Sequence, residues 1–307
     1  MTLPTSQDVL MSAHNKAEYF YLLVDPLAGC DDYTPVAPEN LAAKFGDSAL
    51  TIVPRADLAH DEDACPRLVT LSEPGASPDA ALLDASARYA LRDAGYDKRY
   101  LCAWLSSAEP PYAVASGIAD RCIVKADNVE RFVPFFEPVR MELLLATSIE
   151  DANLYRGPIS DWLYPDANGH ITRLRQAKTH ADRISDKSLS VQAGAPWVAR
   201  LLSAWRNTIR SEELTYAPAR WQGPTLLPPD ATIQAYRQLR DASDMGLTSL
   251  EDQLVFSLHR LYMHPRLETH PQVRAAIARA AAGETSLAAQ FDNYSDAMWA
   301  QIVATLP

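Results

Sequence analysis

Short apolar runs alternate with helical patterns over the first half of the chain, and this alternation restricts the possible folds more than any other feature. Residues 18–25, 67–71 and 100–105 are short runs rich in aromatic and aliphatic residues, as expected of buried strands. Residues 77–95 carry apolar side chains at helical spacing, and a further helix is predicted from residue 111 to about residue 125. Strands and helices in this order predict an α/β lobe built on a mixed sheet with flanking helices.

The hydrophobic period becomes purely helical from residue 195 onward. Val198, Leu201, Leu202 and Trp205 fall on one apolar stripe. Four more helices are predicted, over residues 230–243, 249–263, 271–282 and 286–304. The second half is therefore predicted to be an all-α lobe. We place the domain boundary so that residues 1–175 form the α/β domain and residues 176–307 form the helical lobe.

Charge is distributed unevenly between the two predicted lobes. Residues 1–170 hold 13 Lys and Arg against 26 Asp and Glu, whereas residues 171–307 hold 15 against 13. A surface that binds nucleic acid requires clustered Lys and Arg. The acidic first lobe and the only mildly basic second lobe therefore argue against nucleic acid as a partner.

No segment has the pattern of a membrane span or an export signal. No apolar run approaches the roughly 20 residues that a bilayer requires, and the first residues lack the cationic and apolar segments of a signal peptide. The four cysteines are widely spaced, which is typical of reduced thiols rather than of a disulfide framework. We therefore expect a cytoplasmic protein that does not bind a membrane.

The sequence motifs that hold metals and nucleotide cofactors are missing. The chain contains no HExxH, GxGxxG or GxxxxGK[ST] sequence. His259 and His264 lie five residues apart, a spacing that does not place two imidazoles on one helical face. We predict no metal site and no cofactor.

One pair of possible nucleophiles, Ser106 and Ser107, follows a predicted strand. A hydrolase elbow requires glycines on both sides of the serine, whereas Leu105 and Ala108 flank this pair. A serine that caps a helix or closes a turn is the commoner explanation. A serine hydrolase that uses Ser106 or Ser107 with one of the histidines is nevertheless the alternative function, beside an α/β ligand-binding module.

Aromatic side chains are concentrated in the middle of the chain, and Trp104, Phe135 and Trp162 are prominent among them. Most aromatic residues in such a region fill a core. The turn formed by Gly157 and Pro158 precedes Trp162, however, and could present that ring at an interface, where tryptophan is enriched.

Several short motifs occur in a fixed order along the chain. They are a Leu-Leu-Val-Asp strand end at residues 22–25, an apolar run after a proline at residues 65–71, Trp-Leu-Ser-Ser at residues 104–107, Phe-Phe-Glu-Pro at residues 135–138, and Gly-Pro-Ile-Ser-Asp-Trp at residues 157–162, followed by Gly169. In this order they resemble the effector adaptor, or chaperone, domain of type VI secretion systems, long catalogued as a domain of unknown function. The resemblance covers residues 18–172, and the later helices more loosely resemble the helical lobe that often follows this domain.

The resemblance implies a function without catalysis. Members of the family are bacterial cytoplasmic adaptors rather than enzymes, and they bind a secreted effector (a toxin) and load it onto a VgrG-type spike protein. The motif positions that the resemblance implies for partner binding or for the family framework are Trp104, Phe135, Glu137, Arg140, Gly157, Pro158 and Trp162.

The chain departs from the family pattern at one of these motifs. The family tends to carry Asp-Pro-Arg after the aromatic strand, whereas two residues separate Glu137 from Arg140 here. A carboxylate and a guanidinium are retained, one residue further apart. Because of this extra residue, the resemblance no longer implies a bidentate pair between the two groups.

Overall fold

The computed structural model describes residues 5–126, 129–174, 182–210 and 227–306. The chain divides into two compact units, Met1–Ala193 and Gly194–Pro307. The predicted domain boundary at residues 175 and 176 lies outside the described residues. None of the helices in the described ranges combines the length and the apolar character needed to cross a membrane.

The first unit is built around a six-stranded sheet. The strands of this unit, in its described residues, are β1 (Tyr19–Val24), β2 (Leu50–Ile52), β3 (Arg67–Ser72), β4 (Leu101–Ser107), β5 (Ile123–Ala126), β6 (Val129–Phe132), β7 (Asp161–Pro165) and β8 (Ile171–Arg173). The sheet has the order β2–β3–β1–β4–β7–β8, and β5 and β6 form a separate hairpin. The central strands β1 and β4 are apolar along most of their length and buried on both faces, as expected of strands covered by helices on two sides.

Strand direction differs from the prediction. Every pairing between the described strands of the sheet is antiparallel, whereas we expected a mixed sheet. Helix α3 (Ala80–Asp93) carries the chain from β3 to β4. These two strands run in the same direction, but β1 lies between them and opposes both, so the crossover is split. The α/β class of this lobe and the all-α class of the second lobe are confirmed.

Helices cover both faces of the sheet. The other helices of the first unit are α1 (Ser6–Ala13), α2 (Pro38–Phe45), α4 (Pro111–Cys122), α5 (Pro138–Thr147), α6 (Ile149–Arg156) and α7 (Asp186–Ala193). Successive residues of a strand point to opposite faces. Leu22 of β1 accordingly joins the core beneath α1, α2 and α3, and Tyr21 joins the core beneath α4, α5 and α6. Leu189 of α7 packs against the second of these cores.

The start of α5 is fixed by its sequence. Pro138 occupies the first turn of the helix, where its fixed φ suits the helix and its missing N–H leaves no donor unsatisfied. Glu137 is the N-cap residue, but its side chain makes no capping hydrogen bond. The carboxylate of Glu137 is therefore available for the ion pairs described below.

The second unit contains helices and no strand among its described residues. Its helices are α8 (Ala195–Arg210), α9 (Ala231–Asp244), α10 (Leu250–Tyr262), α11 (Pro271–Ala281), α12 (Leu287–Phe291) and α13 (Asp296–Thr305). The stripe predicted on α8 is buried, since Val198, Leu201, Leu202 and Trp205 are each at most 3% exposed. The Tyr262 hydroxyl at the end of α10 donates a hydrogen bond to the backbone carbonyl of Trp205, which joins α10 to α8.

Candidate functional site

Four charged side chains from separate parts of the first unit meet at one end of the sheet. This ionic cluster consists of Asp25 after β1, Lys98 before β4, and Glu137 and Arg140 at the start of α5. The Nζ atom of Lys98 lies 2.9 Å from Oδ2 of Asp25 and 2.7 Å from Oε1 of Glu137. The Nε atom of Arg140 donates to Oε2 of Glu137 at 2.8 Å. The cluster thus brings two of the motifs named above into contact.

Burial and neighbouring charges act in opposite directions within the ionic cluster. Asp25 is fully buried, and burial raises the pKa of its carboxyl although Lys98 opposes the rise. Burial also disfavours the charged form of Glu137, but Lys98 and Arg140 outweigh it and lower the pKa. For Lys98, burial acts to lower the pKa, and the two carboxylates outweigh it and raise the pKa. A charged lysine is therefore held between two carboxylates, and the buried Asp25 would lose its ion-pair partner if Lys98 were removed.

Arg140 connects the ionic cluster to α7. A terminal nitrogen of its guanidinium donates to the Gln192 carbonyl at 2.9 Å, and Nε2 of Gln192 donates to the Arg140 carbonyl at 2.9 Å. Because the guanidinium is divided between two partners, the pair with Glu137 forms through a single nitrogen and is not bidentate. Arg140, which stands one residue further from Glu137 than in the family pattern, thus hydrogen-bonds both to Glu137 and to Gln192 of α7.

The predicted aromatic residues lie on different faces of the sheet. Phe135 and Trp162 both contact the ring of Tyr155, each with a centroid separation of 5.3 Å. Trp104 belongs to the opposite core, where its indole N–H donates to Oγ of Ser86 at 3.0 Å. Phe135, Trp104 and Trp162 are all fully buried. Trp162 is therefore a core residue, and the expectation that it could serve as an exposed anchor was wrong.

The turn after α6 lies against an arginine from α4. Gly157 has a φ of +58°, and a Cβ atom on it would stand 2.6 Å from the guanidinium carbon of Arg121. A Cβ atom on Gly117, one turn before Arg121, would stand 3.1 Å from a nitrogen of the same guanidinium. Pro158 is exposed at the surface of this turn. The two glycines leave the space that the Arg121 side chain occupies.

Arg121 also lines a cavity of about 380 Å³ beside β5, which we call the β5 cavity. Apolar side chains, including Leu154, Ile184 and Leu189, form much of its wall. The Nε atom of Arg121 is buried and has no hydrogen-bond partner among the residues that the structure describes, and burial lowers the pKa of the guanidinium. An apolar pocket with a few placed polar groups is the usual form of a binding site, and here the placed group is a cation.

The two candidate nucleophiles have structural roles in this fold. Ser106 and Ser107 are both fully buried. The Ser106 hydroxyl donates to the Ala13 carbonyl at 3.1 Å, and Oγ of Ser107 accepts the Glu109 N–H at 3.2 Å. Within the described residues neither hydroxyl is hydrogen-bonded to a histidine. Ser106 thus joins the end of α1 to β4, and Ser107 closes the turn that follows β4.

The histidine weighed as a metal ligand packs among aromatic rings. The ring of His259 lies 4.7 Å from that of Phe291 and 5.2 Å from that of Trp299. Its Nδ1 atom is 2.7 Å from the Val255 carbonyl, and burial lowers its pKa. Among all the residues that the structure describes, no three His, Cys, Asp or Glu side chains form a group that could hold a metal ion.

Lys98 and Arg121 are the site residues that the sequence did not indicate. Lys98 lies in an Asp-Lys-Arg segment directly before an apolar strand, and a charge at the entrance to a core requires a partner. Gly117 lies four residues before Arg121, on the same helical face. A glycine inside a helix is unfavourable. Gly117 therefore could have indicated that a neighbouring side chain, here Arg121, occupies the space of a Cβ atom.

The chain was compared with known proteins at three levels. Protein-family models, curated proteins and solved structures all returned no match. No family assignment follows from these comparisons, and the chain's own residues and motifs carry what can be concluded about its function.

Proposed function

We propose that this chain is a non-enzymatic adaptor of the bacterial cytoplasm, which binds a type VI secretion effector and loads it onto a VgrG-type spike protein. The order of the motifs from residue 22 to residue 169 supports this proposal. Both partners are proteins, so the proposed function involves no cofactor, no nucleic acid and no membrane.

The contact between motifs in the ionic cluster is the observation that supports the proposal most directly. Asp25 and Glu137 come from motifs that are far apart in the chain, and both contact Nζ of Lys98. Chance matches to short motifs would have no reason to meet in space. The Gly157 motif has a physical explanation of the same kind, since its glycine leaves room for Arg121.

An adaptor requires surface that suits protein partners. Large aromatic side chains are exposed on the first unit, with Tyr33 98% and Tyr112 79% accessible. Tyrosine is enriched at protein interfaces because its ring is apolar and its hydroxyl can hydrogen-bond. The acidic balance of residues 1–170 adds long-range attraction to a basic partner surface.

Affinity purification of the tagged, full-length chain from its native cytoplasm tests the proposal, with the bound proteins identified by mass spectrometry. We expect to recover a VgrG-type spike together with a large toxin-like protein. In cells that lack this chain, we expect that the spike and the toxin-like protein no longer associate. Recovery of neither partner would contradict the proposal. A serine-reactive phosphonate probe forms the second arm, because labelling that is lost in Ser106→Ala would favour the hydrolase alternative.

A further inference from the structure

The outer edge of β5 has no strand beside it in the described part of the chain. β5 and β6 form a two-stranded sheet in which Lys125 lies opposite Glu130. The Val133 N–H donates to the Cys122 carbonyl at 2.7 Å, and in an antiparallel ladder every second residue bonds to the partner strand. Val124 is therefore the next residue bonded to β6, and the backbone N–H and carbonyl of Lys125 face away from it. These groups are available to an additional strand.

The β5 cavity lies along this edge. Ile123, Val124 and Lys125 of β5 line it, and Leu189 of α7 forms part of its wall. The Ile123 side chain is 42% exposed. A strand added at this edge would direct every second side chain toward the sheet face on which such a pocket lies. The edge and the cavity therefore form one surface, on which backbone bonds and side-chain pockets are combined.

The charge of this surface is opposite to that of the unit that carries it. Among the described lining residues, Arg121, Lys125 and Arg183 are basic and only Asp186 is acidic, whereas acidic residues outnumber basic ones two to one in residues 1–170. Lys125 pairs with Glu130, but the two side chains are 77% and 60% exposed. A surface pair of this kind contributes little free energy, so Lys125 can exchange Glu130 for another anion.

Arg121 is the cation best placed to fix a ligand. It makes no ion pair with any carboxylate in the described ranges, and its buried Nε has no hydrogen-bond partner. Leaving a buried guanidinium nitrogen without a partner costs free energy. Gly117 and Gly157 leave the space in which the side chain lies. An incoming carboxylate would give the guanidinium that lines the cavity a counter-ion, with the charge-assisted hydrogen bonds that arginine and carboxylate form.

We propose that the outer edge of β5 and the β5 cavity bind an extended peptide segment of a partner protein, which adds to β5 as a third strand and pairs an aspartate or glutamate side chain with Arg121. Strand addition supplies affinity through backbone hydrogen bonds, and pockets for alternate side chains supply specificity. A free small anion would use Arg121 but not the strand edge, and the edge is therefore what favours a peptide. The biological meaning of this site rests on the proposed adaptor function.

Selection from a display library of random octapeptides on the intact chain tests this inference. We expect the enriched peptides to carry Asp or Glu with apolar residues two positions away on either side, as the alternation of a strand requires. The consensus peptide, labelled with fluorescein, is then titrated with the chain and followed by fluorescence anisotropy. Failure to enrich any peptide, or enrichment of peptides without an acidic residue, would overturn the inference.

Two pairs of variants separate the carboxylate contact from the strand edge. Arg121→Gln should weaken binding of the consensus peptide at least tenfold, whereas Arg88→Glu, at a 73% exposed position on α3, should change it less than twofold. Lys125→Pro removes an outward-facing N–H and should abolish binding without disturbing the hairpin. Glu130→Pro makes the matching change on β6 and should leave binding intact. Binding that survives Arg121→Gln or Lys125→Pro, with folding confirmed by circular dichroism, would overturn the inference.

The outcome also distinguishes this site from the adaptor function. If the chain recovers a spike and an effector but binds no peptide at β5, the proposed peptide site is contradicted and the proposed adaptor function is supported. Peptide binding that depends on Arg121, in a chain that recovers no secretion partner, would retain the site and contradict the adaptor function.

Discussion

The guanidinium carbon of Arg121 lies 2.6 Å from the point at which a Cβ atom on Gly157 would stand. Two independent requirements therefore coincide at Gly157. Its φ of +58° is one that residues with a side chain rarely adopt, and the space above it is filled by an arginine from another helix. The Gly-Pro turn is thus explained by the side chain that it accommodates, and that side chain lines the β5 cavity.

Gly157→Ala should lower the free energy of unfolding by about 1–3 kcal/mol from backbone strain, with a smaller addition because the Arg121 side chain must move aside. Urea denaturation measures the change. Gly29→Ala is the matched control, since Gly29 has a φ of +73° and nothing within 4 Å of a Cβ atom there, so that only strain applies. In an Arg121→Ala background the two alanine substitutions should cost the same. If Gly157→Ala still lowers the free energy of unfolding more than Gly29→Ala does in this background, Arg121 is not the cause of the larger loss.

Lys98→Met should lower the free energy of unfolding by about 3 kcal/mol, because it leaves the buried carboxylate of Asp25 without its counter-ion. Lys98→Arg retains the charge and should recover part of this loss. The control is Lys44→Met, which breaks a surface pair with Asp79 and should cost less than about 1 kcal/mol. Equal losses in urea for Lys98→Met and Lys44→Met would mean that the ionic cluster behaves as a surface network.

Asp93→Asn should change how stability depends on pH. Burial raises the pKa of Asp93 from 3.8 to about 6, against the hydrogen bond that it accepts from the Leu101 N–H. The folded chain thus holds this proton more tightly than the unfolded chain, so the group contributes stability below pH 3.8 that is lost as the pH rises to about 6. Asparagine has no such proton. The stability of the variant relative to the native chain should therefore grow by about 3 kcal/mol across that interval and then stay level, and a flat difference in urea would contradict this.

The two lobes could be predicted because their hydrophobic periods differ, but strand direction could not. The helix α3 between β3 and β4 suggests a parallel pair, and only the long-range insertion of β1 between them makes the sheet antiparallel. The hairpin was missed for a related reason. We predicted a helix to about residue 125, whereas α4 ends at Cys122 and Ile123 begins β5, since pairing with β6 outweighs local helical preference.

The same limit applies to the candidate site. Glu137 and Arg140 could be identified from a short motif, because they are neighbours on one helix turn. Lys98 could not be connected with them, because their contact depends on how β4 and α5 are placed by the whole fold. Motifs therefore indicated the residues that pair locally, and the structure was needed for those that pair across elements.

Ser106→Ala should lower the free energy of unfolding by about 1–2 kcal/mol, because the Ala13 carbonyl loses the hydrogen bond that it accepts from Ser106. Under the adaptor proposal the variant should still recover the same partners in affinity purification. The native chain should not react with a serine-directed phosphonate. Labelling of the native chain that Ser106→Ala abolishes, with partner binding unchanged, would instead support the hydrolase alternative.

Ending the chain after Ala193 rather than after Leu174 tests whether α7 belongs to the first unit. The buried carboxylate of Asp151 accepts the Ser185 N–H at 3.2 Å and the Ser185 hydroxyl at 2.6 Å. Gln192 and Arg140 share three hydrogen bonds. The shorter fragment loses all five of these bonds.

We therefore expect the fragment of residues 1–193 to unfold in one cooperative urea transition, as a compact unit with its own core does. The fragment of residues 1–174 should unfold at a lower urea concentration or aggregate, because it leaves Asp151 buried without its Ser185 partner and exposes the surface that Leu189 covers. The variant Gln192→Ala in the longer fragment removes the side-chain bonds to Arg140 and keeps the bond to the backbone carbonyl of residue 192, so it is the control for the side-chain bonds alone and should cost about 1–3 kcal/mol. Equal urea midpoints of unfolding for the two fragments would mean that α7 does not stabilise the first unit. The hydrogen bonds between Arg140 and Gln192 would then not contribute to its stability.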